Sequence, residues 1–561
     1  MDRKNIIVNS MLWSAYGDAF GYITELCDDK KNLVYRTHGL DHVKELIKWR
    51  RKVGGIYGVS VDIPRGCYSD DTQLRLAVCR SIMKNGEFDF ETFSKIELPV
   101  FLAYGLGVGR GTRVAGESLL KKTIQWNTNF FENEYNSYID GGGNGGAMRI
   151  QPHVWAAPFK ASTADLIREI MRDVIITHGH PVAWLGAIFH AIILRETLLT
   201  GSCPGPSKWI DIVNESRKIT SICQNDQLLK DMWIPNLERL SGKSIAIGIS
   251  QAITDMTNDI NTIDQIMSHP SDKNYMPTEE TYRNVIMAID AFNPKVRGSA
   301  TKTALLATYL AYSFSEDPLK GIELSANALG SDTDTIASMA GAIMGACCQT
   351  PPPEKILDFE YIVTEAQRLY DISCEKPVNQ FIYPDLLHWS LPKSQIDYVG
   401  CLDNSFVIYG LGSLEPQGDV IPQKNVQKSG LLRFFKTSFG QTLLLKYREN
   451  PLPVSRQYLP SKNIPSYSKI EKEIIIPMKN DFKPTPSVPK QMSLYSDLDQ
   501  ADQNLNIDQL TDSIIRNGFN EMDIGRQLLR YAGANDGLEK AIAFTAIIVK
   551  ARRARIKKES K

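Results

Sequence analysis

Two short acidic clusters hold the densest set of chemically useful side chains in this sequence: Ser69-Asp70-Asp71-Thr72 and, far downstream, Asp332-Thr333-Asp334-Thr335. Each stands where a helix is expected to begin. Together they supply four carboxylates and several hydroxyls, hard oxygen donors of the kind that hold Mg²⁺, Mn²⁺ or Ca²⁺. Either cluster alone also suits a plain helix start: Ser, Thr and Asp cap free N–H groups, and carboxylates favour the positive end of the helix dipole. A helix start needs one cap, however, and each cluster brings two carboxylates and a hydroxyl. Crowded carboxylates repel unless a cation or a proton neutralises them. Set face to face by the fold, the two turns would form a cradle for two cations.

Three further segments add chemistry. Glu25 is a fifth acid and closes the run Gly17-Asp18-Ala19-Phe20-Gly21-Tyr22-Ile23-Thr24-Glu25. Gly17 and Gly21 share one helix face, which permits a close helix–helix approach. Asp18 reads as a hydrogen-bonded helix residue, since buried acids are normally satisfied. The glycine-rich stretch Gly141-Gly142-Gly143-Asn144-Gly145-Gly146 runs into Ala147-Met148-Arg149. It lacks the Lys-Ser/Thr ending of a P-loop and the upstream strand of a dinucleotide fold. Its exposed N–H groups suit a diphosphate or a ribose at close range; the bland alternative is a flexible tether. Thr177-His178-Gly179-His180-Pro181 pairs two His at i, i+2. Such a pair could bind a metal, but with no other His or Cys cluster nearby, His178 reads as a substrate contact or a support to the site, and His180 as structural.

These residues must be positioned mainly by helices. Apolar spacing of helical period predicts helices over 6–26, 72–84, 164–176, 183–199, 303–315 and 335–347. The fold class is mainly α. Four parts are expected: a helical domain over 1–392, a small β-rich module over 393–449, a Pro/Ser-rich linker over 450–504 and a helical unit over 505–561. Runs of β-branched and aromatic residues at 398–411 and 431–447 mark the β-rich module. The last part should hold helices at 508–517, 521–531 and 539–554, and its basic ending (Lys550, Arg552, Arg553, Arg555, Lys557, Lys558) reads as a solvated helix C-terminus. No aromatic platform accompanies those charges, which argues against nucleic acid.

Composition narrows the class. Lys+Arg and Asp+Glu are both 64 in 561 residues, so no whole-chain charge argues for nucleic acid or membrane. No membrane span or signal peptide is expected, and residues 1–10 show no apolar signal core. The nine Cys are odd in number and contain no CxxC, so a reducing, cytoplasmic setting is expected and a zinc site is not. Cys347 and Cys348 read as buried thiols. The stretch 200–295 is not decoded by pattern; it is a candidate lid over the leaving group.

In their order, these pieces resemble the ADP-ribosylglycohydrolase family, which includes the dinitrogenase-reductase-activating glycohydrolases. Residues 17–25, Gly66-Cys67-Tyr68-Ser69-Asp70-Asp71-Thr72, Gly143 to Arg149 with Pro152, Thr177-His178 and Gly330-Ser331-Asp332-Thr333-Asp334-Thr335-Ile336-Ala337 carry the resemblance, over roughly 5–370. The resemblance implies an orthogonal helical bundle and metal-dependent hydrolysis of the bond linking ADP-ribose to an acceptor. It implies two Mg²⁺, or Mn²⁺, held by Ser69, Asp70, Asp71, Asp332, Asp334 and Thr335, with Glu25, Asp70, Asp71 and Asp334 serving catalysis. It also implies ADP-ribose contacts at Gly143, Asn144, Gly145, Gly146 and His178, and at Gly109 and Gly111 in a loop over 105–112. Where the family usually has Thr, this chain has Ser69, which lowers the expected metal affinity; Ser331 stands where Gly is common. The expected partner is an ADP-ribosylated protein or a small ADP-ribose derivative, with a protein partner for the C-terminal region. The alternatives are an ADP-ribose-binding module without turnover and a hydrolase recruited through its C-terminal region. The acceptor linkage is not legible.

Overall fold

The computed structural model describes residues 2–54, 58–268, 277–421, 430–461, 507–532 and 537–559; most of the expected linker, from 462 on, lies outside them. The chain divides into two compact units, Met1–Ile476 and Pro477–Lys561.

The first unit is built around its opening helix, Arg3–Gly21, which Asp2 caps by accepting the Lys4 N–H. Residues all round this helix are buried, so it is a central element and shows no one-sided apolar stripe. Its partner is the helix Thr333–Cys347, and glycines on both let the backbones meet. A Cβ on Gly17 would sit 2.2 Å from the Ala337 carbonyl oxygen, and one on Gly21 would sit 2.3 Å from that of Thr333. In return, Gly341 faces the Trp13 carbonyl at 2.3 Å and Gly345 that of Asn9 at 2.6 Å. The pairing order is antiparallel. Hydroxyls stitch the contact: Ser10 donates to the Ala342 carbonyl, Ser14 to that of Ser338, and Thr333 to that of Gly21. The end of one helix is thereby fixed opposite the start of the other.

The expected helices appear at Asp70–Ser81, Thr163–Val174, Pro181–Thr200 and Ala300–Phe314. Pro181–Thr200 is long and apolar enough to cross a membrane by length and composition, which the sequence reading did not anticipate. In this fold 72% of its most apolar window is buried in the bundle. The stretch 200–295 contains the helices Pro206–Glu215, Ile219–Asn225, Ile234–Ser241, Ile245–Met267 and Glu279–Ala288.

Two sheets accompany the helices: a hairpin that was not expected within the helical part, and the β-rich module that was. Trp49–Val53 (β1) and Val59–Ile63 (β2) form an antiparallel hairpin inside the helical part. A five-stranded antiparallel meander follows: Val399–Leu402 (β3), Ser405–Ile408 (β4), Gly412–Ile421 (β5), Leu431–Thr437 (β6) and Thr442–Tyr447 (β7), in sequence order. The β-rich runs of the sequence match β3, β4, β6 and β7. β5 was not expected, since Gly412, Pro416 and Gly418 weaken its strand signal, and it pairs with β6 through an irregular register between Gln417 and Ile421. Residues 451–454 continue along β3, where Cys401 pairs with Pro453. Cys347 and Cys348 are half-buried, because Cys348 lies at the helix end, in contrast to the buried thiols expected.

The meander belongs to the first unit through buried polar bonds. Asp358 accepts from the Thr442 N–H and hydroxyl, both at 2.6 Å, and from the Tyr68 hydroxyl at 2.8 Å, directly before the first acidic cluster. Arg80 pairs with Glu97 in the interior and also donates to Gln441 Oε1 at 2.7 Å.

The second unit contains Ile507–Arg516, Glu521–Ala532 and Gly537–Glu559 around Ile514, Phe519, Phe544 and Ile548. Arg555, from the basic ending, donates to the Ile515 carbonyl and lies over the Phe519 ring.

The glycine contact yields a stability prediction. Gly17→Ala drives a methyl into the Ala337 backbone and costs about 1–3 kcal/mol or more, whereas Gly111→Ala meets nothing within 4 Å and is neutral or mildly stabilising. Thermal unfolding of both variants checks this ordering.

Candidate active site

The opening helix ends at Gly21, and the chain turns through 22–26 to present Glu25. Arg36 holds this turn by donating to the Ile23 carbonyl at 3.0 Å and to that of Glu25 at 2.6 Å. The Glu25 carboxylate accepts from Arg51 Nη1 at 2.5 Å through Oε2. Arg51 comes from β1 and lies 4.6 Å from the centre of the Tyr22 ring. The hairpin therefore has a job the sequence reading missed: it delivers the cation that holds Glu25. The alternation Trp49, Arg51, Val53 was its only signal, and it sits in a basic run that resembles a loop.

The first acidic helix, Asp70–Ser81, is capped twice. Ser69 Oγ accepts from the Asp71 N–H at 3.2 Å. Asp18 reaches across from the opening helix, accepting the Ser69 N–H at 2.9 Å and the Thr72 N–H at 2.8 Å. Asp18 is thus the hydrogen-bonded residue expected, and its task is to dock one helix onto the other. With the cap supplied by Ser69 and Asp18, the side chains of Asp70 and Asp71 are released from capping. In the second helix Asp332 makes no capping bond; its Oδ2 accepts from Asn144 Nδ2 at 2.7 Å. Asp334 Oδ1 accepts from the Thr335 N–H, and the Thr335 hydroxyl donates to Asp71 Oδ2 at 3.3 Å, so the two clusters meet. The positive φ of this turn, +90°, falls on Gly330, so Ser331 adopts an ordinary conformation and its hydroxyl donates to the Ala328 carbonyl.

Arg75 lies beneath the clusters and was not anticipated. It donates to Thr72 on the first acidic helix, to Ser338 on the second and to the Met148 carbonyl at the end of the glycine-rich loop. That loop is fixed on its other side by the segment before Ala300–Phe314, where the Asn144 N–H donates to the Gly298 carbonyl and the Ala300 N–H to that of Gly142. The buried Arg149–Asp173 pair anchors it as well, with Arg149 donating to the Gly145 carbonyl. These bonds exclude the tether reading.

The assembled groups line a cavity of about 650 Å³ that includes Glu25, Asp70, Asp71, Asp332, Asp334 and Thr335. Gly109, Gly111, Gly143, Asn144, Gly145 and His178 join the wall. Two expected site residues do not. Ser69 is fully buried and serves as the helix cap, and Gly146 packs against Val174. None of the described residues of 200–295 lines the cavity; 131–137 and 107–112 supply the rim in place of the expected lid. Gly107, with φ +105°, passes so close that a Cβ there would be 2.7 Å from Asp70 Oδ1.

Eight carboxylates line this cavity, with Arg110 as the one Arg or Lys among the described lining residues. Burial, reinforced by Glu25 and the other acids, holds Asp70 and Asp334 well above the usual carboxylate range. Burial, then Asp18 and Asp70, does the same to Asp71. Burial also raises Asp332, with the Asn144 hydrogen bond opposing. Asp71 Oδ1 is buried and accepts no hydrogen bond. His178 behaves oppositely. Burial, helped by the Arg149 charge, pushes its imidazole down to about 3. Thr177 Oγ1 lies 2.6 Å from its Nδ1, while Nε2 faces the Gly143–Gly145 backbone. His180 accepts the Val182 N–H and caps Pro181–Thr200, the structural role expected.

The sequence model of the ADP-ribosylglycohydrolase family matches residues 1–353, well over half of the chain. The protein belongs to this family, and its general activity is that of a glycohydrolase of ADP-ribosyl groups. A curated relative, ADP-ribosylhydrolase ARH3 of Danio rerio, is 26% identical over 293 residues, covering 50% of this chain and 69% of the relative. A solved structure described as an ADP-ribosylglycohydrolase-related protein complex aligns with 20% identity and a TM-score of 0.43, over 66% of this chain and 99% of that one.

The His178 shift gives a pH prediction. Its folded value of about 3 lies below the ordinary 6.5, so the neutral ring's contribution is present above 6.5 and is lost as pH falls toward 3. His178→Gln should therefore lose less stability than the wild type between pH of about 6.5 and about 4.5. Urea unfolding midpoints at the two pH values check it, and equal losses would contradict it.

Proposed function

We propose that this chain hydrolyses the glycosidic bond at C1″ of an ADP-ribosyl group, releasing ADP-ribose from its acceptor, with two divalent cations, Mg²⁺ or Mn²⁺, at the facing acidic clusters. The observation that carries this reading is Asp71 Oδ1, a buried carboxylate oxygen without a hydrogen-bond partner, in a cleft of eight carboxylates and one Arg. Such a charge needs a cation or a proton. Among the described residues no three Asp, Glu, His or Cys side chains already close into a metal cage. The donor set still fits a hard cation, because it mixes carboxylates with the Thr335 hydroxyl and leaves room for water and ribose oxygens. Asp70, Asp71, Asp332, Asp334 and Thr335 would hold the cations. Ser69, as a buried cap, contributes by fixing Asp71.

When bound, the cations would grip ribose hydroxyls and lower the pKa of a water. The protein's own groups do the rest. Arg51 holds Glu25 through Oε2, so proton exchange with the water or the leaving group falls to Oε1. Asn144 fixes Asp332 by its amide. Neutral His178, with Thr177 on Nδ1, offers Nε2 to the substrate side of the glycine-rich loop. The loop glycines let the ADP-ribose backbone approach closely: a Cβ on Gly145 would meet His178 and Thr112 at 3.0 Å. Carboxylates around C1″ stabilise the oxocarbenium-like charge of the transition state. The nine free thiols suit a reducing, cytoplasmic compartment.

Release of ADP-ribose from modified protein with Mg²⁺ present tests the reading. Chelation should abolish release, and Asp332→Asn/Asp334→Asn should lower kcat/KM by a factor of about 10³ or more. Equal release by wild type and double variant would sink the metal assignment, and tight ADP-ribose binding with no release by the wild type would favour a binding module.

A further inference from the structure

A second cavity, of about 740 Å³, adjoins the acidic cleft. Gly107 lines both. The Glu25–Arg51 ion pair spans the boundary, with Glu25 on the cleft and Arg51 on the second cavity. The two spaces are opposite in charge. Arg51, Lys52, Arg113 and Lys446 line the second cavity, and no Asp or Glu does among the described residues. Three separate parts of the chain bring these cations together: the β1–β2 hairpin, the helix Arg110–Leu119 and strand β7. The sheet side, with Leu432, Leu444 and Lys446, lies beyond residue 353, where the family match ends. This wall is carried by the C-terminal part of the chain.

We propose that the second cavity binds the acceptor side of the substrate, and that the acceptor is a protein segment with acidic side chains next to the modified residue. The proposal rests on the hydrolase reading, because it assigns the leaving group of that same reaction. The lining chemistry favours a peptide. Val53, Val59 and Val108, each half-buried, offer apolar surface and the 105–108 backbone offers polar groups, while Arg113 and the two lysines, which add to the Arg51 already paired with Glu25, bring positive charge complementary to carboxylates. A nucleic acid strand would need exposed ring faces to stack its bases. Among the described residues the two aromatic residues of the lining, Tyr22 and Tyr104, are each buried to within 1%, and Arg51 already covers the Tyr22 ring. An acidic leaving segment would also be repelled by the carboxylates of the catalytic cleft. A basic cavity beside that cleft draws it away once the bond breaks, so acceptor charge sets both the encounter and the direction of release.

The test uses the full chain and peptides carrying one ADP-ribosylated Arg or Ser, flanked by Asp/Glu, by Gly/Ser or by Lys. The wild type should cleave the acidic-flanked peptides with a kcat/KM about tenfold above the basic-flanked ones, through KM, and added salt should shrink the difference. Arg113→Glu/Lys446→Glu should erase or invert the preference while leaving cleavage of the ADP-ribosylated free amino acid unchanged; Arg113→Lys should retain it. Equal kcat/KM across the peptides, or a preference the double variant keeps, overturns the proposal. So does an ADP-ribosylated oligonucleotide that outcompetes every peptide and loses its advantage in the double variant. Should no substrate be cleaved, the hydrolase reading fails by itself. Fluorescence anisotropy of unmodified acidic-flanked peptide, expected to bind the wild type about tenfold more tightly than the double variant, then decides the cavity separately.

Discussion

The backbone contact between the opening helix and the helix Thr333–Cys347 governs the site. Four glycines, Gly17 and Gly21 on one side and Gly341 and Gly345 on the other, each face a carbonyl of the partner helix at a distance that no Cβ could occupy. Such a contact has one axial register, because a slip of one helical turn, about 5.4 Å, would set side chains against backbone. The antiparallel order then places the C-terminal end of the first helix against the N-terminal end of the second. Glu25 follows the first and Asp332 precedes the second, so acids more than 300 residues apart in sequence share one cavity. Asp18, next to Gly17 on the same helix, captures the start of Asp70–Ser81 and adds the second cluster's counterpart.

Holding so many carboxylates close together opposes folding, and the rest of the unit offsets it. Arg75 supplies a buried positive charge beneath the clusters and ties both acidic helices to the glycine-rich loop. Tyr68, one residue before the first cluster, is fixed by Asp358, which is fixed in turn by Thr442 of the β-meander. The meander, beyond the residues that the family model matches, therefore braces the site, and one of its faces lines the neighbouring basic cavity. The result is a sharp charge boundary at Gly107 and the Glu25–Arg51 pair, acidic where the ribose would sit and basic where a leaving group would go.

Much of this was legible in the sequence. The excess of acids over capping needs in the two clusters pointed to shared chemistry, and the Gly17/Gly21 spacing pointed to a close helix pair. The partner glycines, Gly341 and Gly345, were visible only as a small-residue helix. What escaped has a common physical cause: it depends on contacts between distant segments. Arg75 looks like any helix arginine until three elements converge on it. Arg51 looks like a loop cation because β1 is short and basic. Ser69 satisfies both a ligand pattern and a cap pattern, and the Asp71 N–H bond shows that it meets the second. Gly146 matches its motif and yet faces Val174, since a motif fixes residue type and leaves direction to the fold.

On the proposed reading the glycine-packed helix pair holds divalent cations between two acidic helix starts. Anomalous diffraction from crystals of the full chain grown with Mn²⁺ tests it most directly. Manganese peaks should appear bounded by Asp70 and Asp71 on one side and by Asp332, Asp334 and Thr335 on the other, and should be lost in Asp71→Asn/Asp334→Asn. Manganese bound elsewhere, or a cleft without peaks at a Mn²⁺ concentration that supports turnover, would contradict it.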